Sequence, residues 1–458
     1  MDKTTSVDVQ KLIDDADLST TQKKAVGACL AFGFLDGFDA LIPGFVLPSI
    51  AKDWEVSVAS LTPMALAGVF GTIFGSMLLA PLADRVGRRP LIMFGALLFG
   101  VFNIAAAFAP NLEIMIALRL LAGLGLGAVP VTLFTYGTEM APSRLRGTIV
   151  TLISAGLALG GLVGGFAAGF LIPVLGWRSM FALGGVLPLV LIVLMYKLLP
   201  ETVQFSTLAG RSDQVARMLR QIAPSSALPP EGQAIFTLKK QPSQKSRFRS
   251  LFDGGRGPLT IVLWVLYLCQ FISSFFVFSW LPSVLTEAGL DQSIAIIATS
   301  MFTLGGLGAV ALGMAVDRLG GYRFWIVGGS YALGATAVSI SAVSTGSLPI
   351  LFVALTLAGF GIIGTGGCMN AIGASLYPAK IRTTAVGWFN GFGRVGSVVG
   401  PAIGGALLAM NLSPQSIFLV AVIPAAMCTV CAVLLGIASR HVVAESDSTQ
   451  IATEATVA

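Results

Sequence analysis

Apolar residues dominate the chain in runs of about twenty, separated by short polar turns. Built as helices, runs of this length cross roughly 30 Å of hydrocarbon. They fall near 25–47, 61–83, 90–109, 112–137, 148–171, 179–199, 258–281, 293–316, 323–343, 349–372, 383–409 and 415–438. The pattern predicts an all-α integral membrane protein with twelve transmembrane helices. The longest polar connection, 200–257, holds Pro229 and Pro230 and a weakly amphipathic stretch near 212–222. It divides the chain into a segment 1–22, a six-helix bundle 23–199, the central loop 200–257, a second six-helix bundle 258–438 and a tail 439–458.

Composition agrees with burial in lipid. The chain is 55% hydrophobic and 11% charged, against about 25% charged in soluble domains. Of its 28 Lys and Arg, all but four fall in the tails and loops of one side. Lys52 and Arg178 lie in opposite loops; Arg119 and Arg394 lie inside helices. Basic loops stay cytoplasmic, which predicts a multi-pass protein of the cell (inner) membrane with both termini cytoplasmic. The net charge of +6 then faces anionic lipid, and no nucleic-acid partner is expected.

Other chemistries find no support. The polar, Asp-rich stretch Met1–Thr21 lacks the basic region, apolar core and cleavage site of a removable signal. Cys29, Cys269, Cys368, Cys428 and Cys431 lie in apolar runs, so they are expected to pack as small hydrophobes. The single histidine, His441, lies in the tail, which excludes a histidine relay or histidine metal site within the membrane. With no nucleophile–base pair and no metal-ligand spacing, neither an enzyme nor a cofactor is expected.

The two halves repeat each other. Asp84-Arg-Val-Gly-Arg-Arg89 matches Asp317-Arg-Leu-Gly320 at an offset of 233, and Ala141-Pro-Ser-Arg-Leu-Arg146 matches Tyr377-Pro-Ala-Lys-Ile-Arg382 at 236. Ala122-Gly123 and Ala358-Gly359 keep 236, as do Gly160 with Gly396 and Gly164 with Gly400. Parallel repeats of six helices form a transporter architecture with substrate near the midplane. The cluster Asp84, Arg85, Gly87, Arg88 and Arg89, with Asp317 and Arg318, is expected to form a cytoplasmic gate. Gly87 permits its tight turn.

Charges present in one half only need another explanation. Asp36 and Asp39 share a face of helix one at i and i+3, whereas their counterparts at offset 236 are Ile272 and Phe275. Intramembrane carboxylates mark ion or proton paths, so both are expected to couple protons. At 1.5 Å rise per residue, Asp39, Asp36 and Arg119 sit roughly 8, 12 and 10 Å from the same membrane face. Arg119 is therefore expected to pair with one of the aspartates. Arg394, whose counterpart is Ala158, lies near the midplane, where a guanidinium can hold a carboxylate through two hydrogen bonds. Tyr267, Gln270, Asn370, Trp388 and Asn390 are expected to line a substrate pocket. The implied partners are a small organic anion, protons and the lipid bilayer; a monomer is expected.

The Asp84–Arg89 loop with its partial copy at 313–323, and Arg119-Leu-Leu-Ala-Gly123, resemble motifs of the major facilitator superfamily. Ala80 and Ala122 replace a usual Gly and a common Gln. Leu35-Asp-Gly-Phe-Asp39, the opening Val7-Asp-Val…Leu12-Ile-Asp14 and Ser279-Trp-Leu-Pro282 resemble the aromatic acid:proton symporters within it. That resemblance implies uptake of a benzoate, hydroxybenzoate or gentisate, with Asp36, Asp39, Arg119 and Arg394 essential. Pro200-Glu-Thr-Val-Gln-Phe205 is similar to a motif shared with sugar porters and does not discriminate. The alternatives are another solute on this fold (a sugar, a nicotinate-like acid, or a drug exchanged for protons) and a transporter-like sensor.

Overall fold

The computed structural model describes residues 5–222, 234–237, 248–253, 255–319, 322–377, 381–410 and 412–457. Among these, twelve helical spans are long and apolar enough to cross a membrane, one for each apolar run.

The chain forms two compact units. The first comprises Met1–Trp54 and Pro63–Ser243. It holds β1 (Thr5–Asp8), α1 (Val9–Asp15), α2 (Thr20–Asp53), all but the first residue of α3 (Thr62–Phe74), α4 (Ala83–Val86), α5 (Arg88–Ala107), α6 (Leu112–Met140), α7 (Arg146–Leu175), α8 (Arg178–Leu198), α9 (Val203–Leu208), α10 (Ser212–Ile222) and β2 (Ala234–Thr237). The second comprises Glu55–Thr62 and Gln244–Ala458. It holds α11 (Gly257–Glu287), α12 (Gln292–Gly306), α13 (Ala309–Arg318), α14 (Arg323–Val343), α15 (Leu348–Gly359), α16 (Thr365–Ser375), α17 (Arg382–Ala409) and α18 (Pro414–Val457). Several spans are composite. A π turn at Gly75–Leu79 and a short turn at Ala80–Leu82 join α3 to α4. A second π turn, Phe360–Gly364, joins α15 to α16. The last helix continues past the apolar run to Val457, so the backbone of the expected tail is helical.

Lipid tails are as apolar as Leu, so helices in a bilayer associate by close packing at small residues. Added methyl groups at Gly37 and Gly160 would collide with the carbonyls of Leu157 and Phe34, so α2 and α7 touch backbone to backbone. In the second unit Gly396 and Gly400 bring α17 close to the backbone of α11 at Leu268 and Ile272, though less closely than α7 meets α2. Gly123 lies against Gly68 and Gly71, while Gly359 lies against the backbone of Phe302. The glycines repeated at offset 236 thus mark close helix crossings in both units.

The segment before α2 is built into the first unit. β1 pairs in parallel with β2, Thr5 opposite Ala234. Val9 and Ile13 are fully buried in one cluster with Val215, Leu219 and Ile222. These last three lie on one face of α10, so the stretch first read as weakly amphipathic is a strongly one-sided helix. Burial pushes the Asp14 carboxyl up. Hydrogen bonds from the backbone and hydroxyl of Ser143 outweigh that and hold it below the usual carboxylate range. Residues 223–233 and 238–247 of the expected central loop lie outside the described residues.

Candidate functional site

Four helices of the first unit converge on one buried polar group. Arg119 on α6 forms an ion pair with Asp39 on α2, Nη1 to Oδ1 and Nη2 to Oδ2 both at 3.4 Å. Asn103 on α5 joins the two: its Nδ2 donates to Asp39 Oδ1 at 2.7 Å, and its Oδ1 accepts from Arg119 Nη1 at 2.9 Å. The guanidinium also lies over the Phe181 ring of α8, 5.3 Å from its centre. Asp39 is 2% exposed, Arg119 4% and Asn103 0%. Charges this deep persist only when paired and hydrogen-bonded. Small residues make the room: a methyl at Gly68 would stand 3.3 Å from Arg119 Nη2, and one at Gly184 would stand 3.7 Å from Asp39 Oδ1. Arg119 Nε is buried without a partner among the described residues. Asp36, one helical turn before Asp39, is half-buried.

Equal depth therefore places Arg119 beside the aspartate helix, and the pairing forms with Asp39. Asn103 was missed because a neutral amide in an apolar run is ordinary packing material. Its depth held the signal: four residues from the end of α5, it lies about 6 Å in, close to the level of the charges.

The second unit holds a different polar group. Asn370 on α16 accepts from the Tyr267 hydroxyl of α11 and from Asn390 Nδ2 of α17, both at 3.0 Å. Gln270, one turn beyond Tyr267, accepts from the Tyr331 hydroxyl of α14 at 2.7 Å and lies on Gly366. Tyr331, fully buried, did not figure in the sequence reading. Arg394 lies one turn beyond Asn390 on α17, is exposed, and forms no ion pair among the described residues. Trp388 departs from the expected grouping. It stacks on Trp264 at 5.9 Å and packs against Phe248 at 4.6 Å, in an aromatic cluster with Phe252 and Phe392. Indole faces find more contact area there than beside amides.

The Asp84–Arg89 turn organises a third group. Gly87 holds φ +106°, in the region that favours glycine, and ends α4 directly before α5. Arg88 pairs with Asp84 and with Glu139 of α6, each at 2.9 Å. Glu201, from the connection after α8, accepts from the backbone N–H groups of Arg88 at 3.0 Å and Arg89 at 3.4 Å. A carboxylate at a helix N-terminus meets unpaired N–H groups and the positive dipole end. Arg89 donates to the Tyr196 carbonyl. Arg85 and Arg318 are exposed, and the side chain of Asp317 lies outside the described residues. Neither Glu139 nor Glu201 was singled out from sequence. Glu201 sits in the Pro200–Phe205 motif, whose spacing alone does not reveal which helix it caps.

The family model described as Major Facilitator Superfamily matches residues 29–398. The 4-hydroxybenzoate transporter PcaK of Pseudomonas aeruginosa is 35% identical over 438 residues, covering 95% of this chain and 97% of that protein. The gallate transporter of Pseudomonas putida is 33% identical over 421 residues, covering 92% and 93%. Among solved structures, the xylose transporter XylE from E. coli, in a partially occluded inward open conformation, is similar with a TM-score of 0.68 at 19% identity, covering 92% of this chain and 97% of that one.

Proposed function

Because the chain belongs to the Major Facilitator Superfamily, we propose that it is a proton-coupled importer of an aromatic carboxylate of the hydroxybenzoate class, working by alternating access. The observation that carries the coupling is the Asp39–Asn103–Arg119 group, buried within membrane spans. A scaffold does not need a carboxylate there, since burying charge is costly. The aromatic substrate is supported by the relatives, which transport 4-hydroxybenzoate and gallate.

A proton arriving on Asp39 removes the charge that holds Arg119. The carbonyl oxygen of Asn103 still accepts from the guanidinium, so Arg119 keeps one partner while its ion pair is open. Asp36, one turn away on the same helix, shares the proton path. The exposed guanidinium of Arg394 takes the substrate carboxylate through paired hydrogen bonds, beside Gln270, Tyr267, Asn370 and Asn390. The Asp84–Arg88–Glu139 cluster with Arg85, Arg89 and Gly87, and its partial counterpart Asp317–Arg318, forms the cytoplasmic gate. The excess of basic residues on one side supports cytoplasmic termini in a cell (inner) membrane, and one chain holds both polar groups, so a monomer suffices.

Uptake of labelled aromatic acids, with and without a protonophore, tests this reading. We expect accumulation of 4-hydroxybenzoate that the protonophore abolishes. Asp39→Asn is expected to retain membrane insertion and lose accumulation. Uptake of no aromatic acid rejects the substrate class, and accumulation indifferent to the protonophore rejects the coupling.

A further inference from the structure

The amides of the second unit are held in fixed orientations. An amide oxygen offers two lone pairs. Those of Asn370 Oδ1 are both taken, by the Tyr267 hydroxyl and by Asn390 Nδ2. Turning the Asn370 amide over would set its N–H2 against the Asn390 donor. Its own N–H2 is therefore directed away from both, has no protein partner among the described residues, and belongs to a residue that is exposed. The Gln270 oxygen accepts one hydrogen bond, from Tyr331, and its N–H2 has no protein partner among the described residues. The uncommitted N–H2 groups of Asn370 and Gln270 are donors, and Arg394, one turn from Asn390, adds only donors. Asn390, which is hydrogen-bonded to Asn370, lies about 6 Å of rise from Arg394 along α17, so donors at these two levels fit a ligand with oxygen atoms at both ends.

We propose that Asn370, oriented by Tyr267 and Asn390, is the residue that selects a ring hydroxyl remote from the carboxylate. The inference rests on the reading of Arg394 as the carboxylate site. A hydroxyl oxygen accepts from Asn370 Nδ2. An unsubstituted ring displaces water from that N–H2 and returns no acceptor, so benzoate is penalised. A site that hydrogen-bonds a substrate hydroxyl rejects the analogue lacking it far more strongly than an apolar pocket rejects a missing methylene.

The test compares 4-hydroxybenzoate with benzoate in proteoliposomes under an imposed pH gradient, as the ratio of their kcat/KM values. Wild type is expected to prefer 4-hydroxybenzoate. Asn370→Leu keeps the side-chain volume and should lower the ratio by about tenfold or more. Tyr267→Phe removes one hydroxyl from the anchor and should lower the ratio in the same direction, by less, even if the Asn370 variant fails to insert. No wild-type preference, or a ratio unchanged in either inserted variant, overturns the proposal while leaving the aromatic-acid reading intact. Wild-type uptake of neither acid overturns both.

Discussion

The Asn103 side chain hydrogen-bonds Asp39 and Arg119 at once, at 2.7 and 2.9 Å, and is fully buried. Leucine has nearly its shape and neither bond. Asn103→Leu leaves Asp39 a donor short and Arg119 an acceptor short, and an unsatisfied buried polar group costs about 1–3 kcal/mol, more when charged. At 1.4 kcal/mol per tenfold, proton-driven accumulation should fall by about tenfold or more while the protein still inserts. Accumulation within twofold of wild type would mean the amide only fills space. Charge singled out Asp36, Asp39, Arg119 and Arg394 in the sequence, because a charge in an apolar run is costly to bury, and the structure pairs Arg119 with Asp39. Asn103, Tyr331 and Glu201 were not legible. Their importance comes from what they touch, and their partners lie 16 to 113 residues away.

Helix crossings were written in the glycines. Gly160 recurs as Gly396 at offset 236, and each seats its helix against another helix of its own unit, α7 on α2 and α17 on α11. A single added methyl at Gly160 meets the Phe34 carbonyl, a backbone atom that cannot rotate aside. Overpacking of this kind costs about 1–3 kcal/mol, so Gly160→Ala should melt below wild type in detergent and transport less. Gly329→Ala, where no atom lies within 4 Å of the added carbon, should melt as wild type does. Equal melting of the two variants would show that the α2–α7 crossing tolerates separation. Two features at this scale were hidden. The pairing of β1 with β2 joins two four-residue strands across most of the first unit, and strands so short carry too little alternation to detect. The π turns at Gly75–Leu79 and Phe360–Gly364 leave the apolar runs unbroken, so hydropathy sees one span where the backbone changes winding.

Over the whole molecule, charge sets what can drive transport. The intramembrane charges of the first unit are Asp36, Asp39 and Arg119, which leave one negative charge in excess when all are ionised. One proton balances them. A second would leave an uncompensated guanidinium, which a low-dielectric interior disfavours. One proton carried with one monoanion moves no net charge, so the membrane potential, about 2.3 kcal/mol per charge per 100 mV, contributes nothing. A gradient of one pH unit contributes 1.36 kcal/mol, enough for about tenfold accumulation. Proteoliposomes separate the two forces. An acid exterior should drive accumulation of about tenfold per pH unit, with or without a valinomycin-set potassium potential. A potential of 100 mV, negative inside, should drive none when the pH is equal on both sides. A two-proton carrier would convert that same potential into accumulation of roughly fiftyfold. Potential-driven accumulation on that scale would show that both aspartates load a proton in each cycle and would reject the one-proton balance.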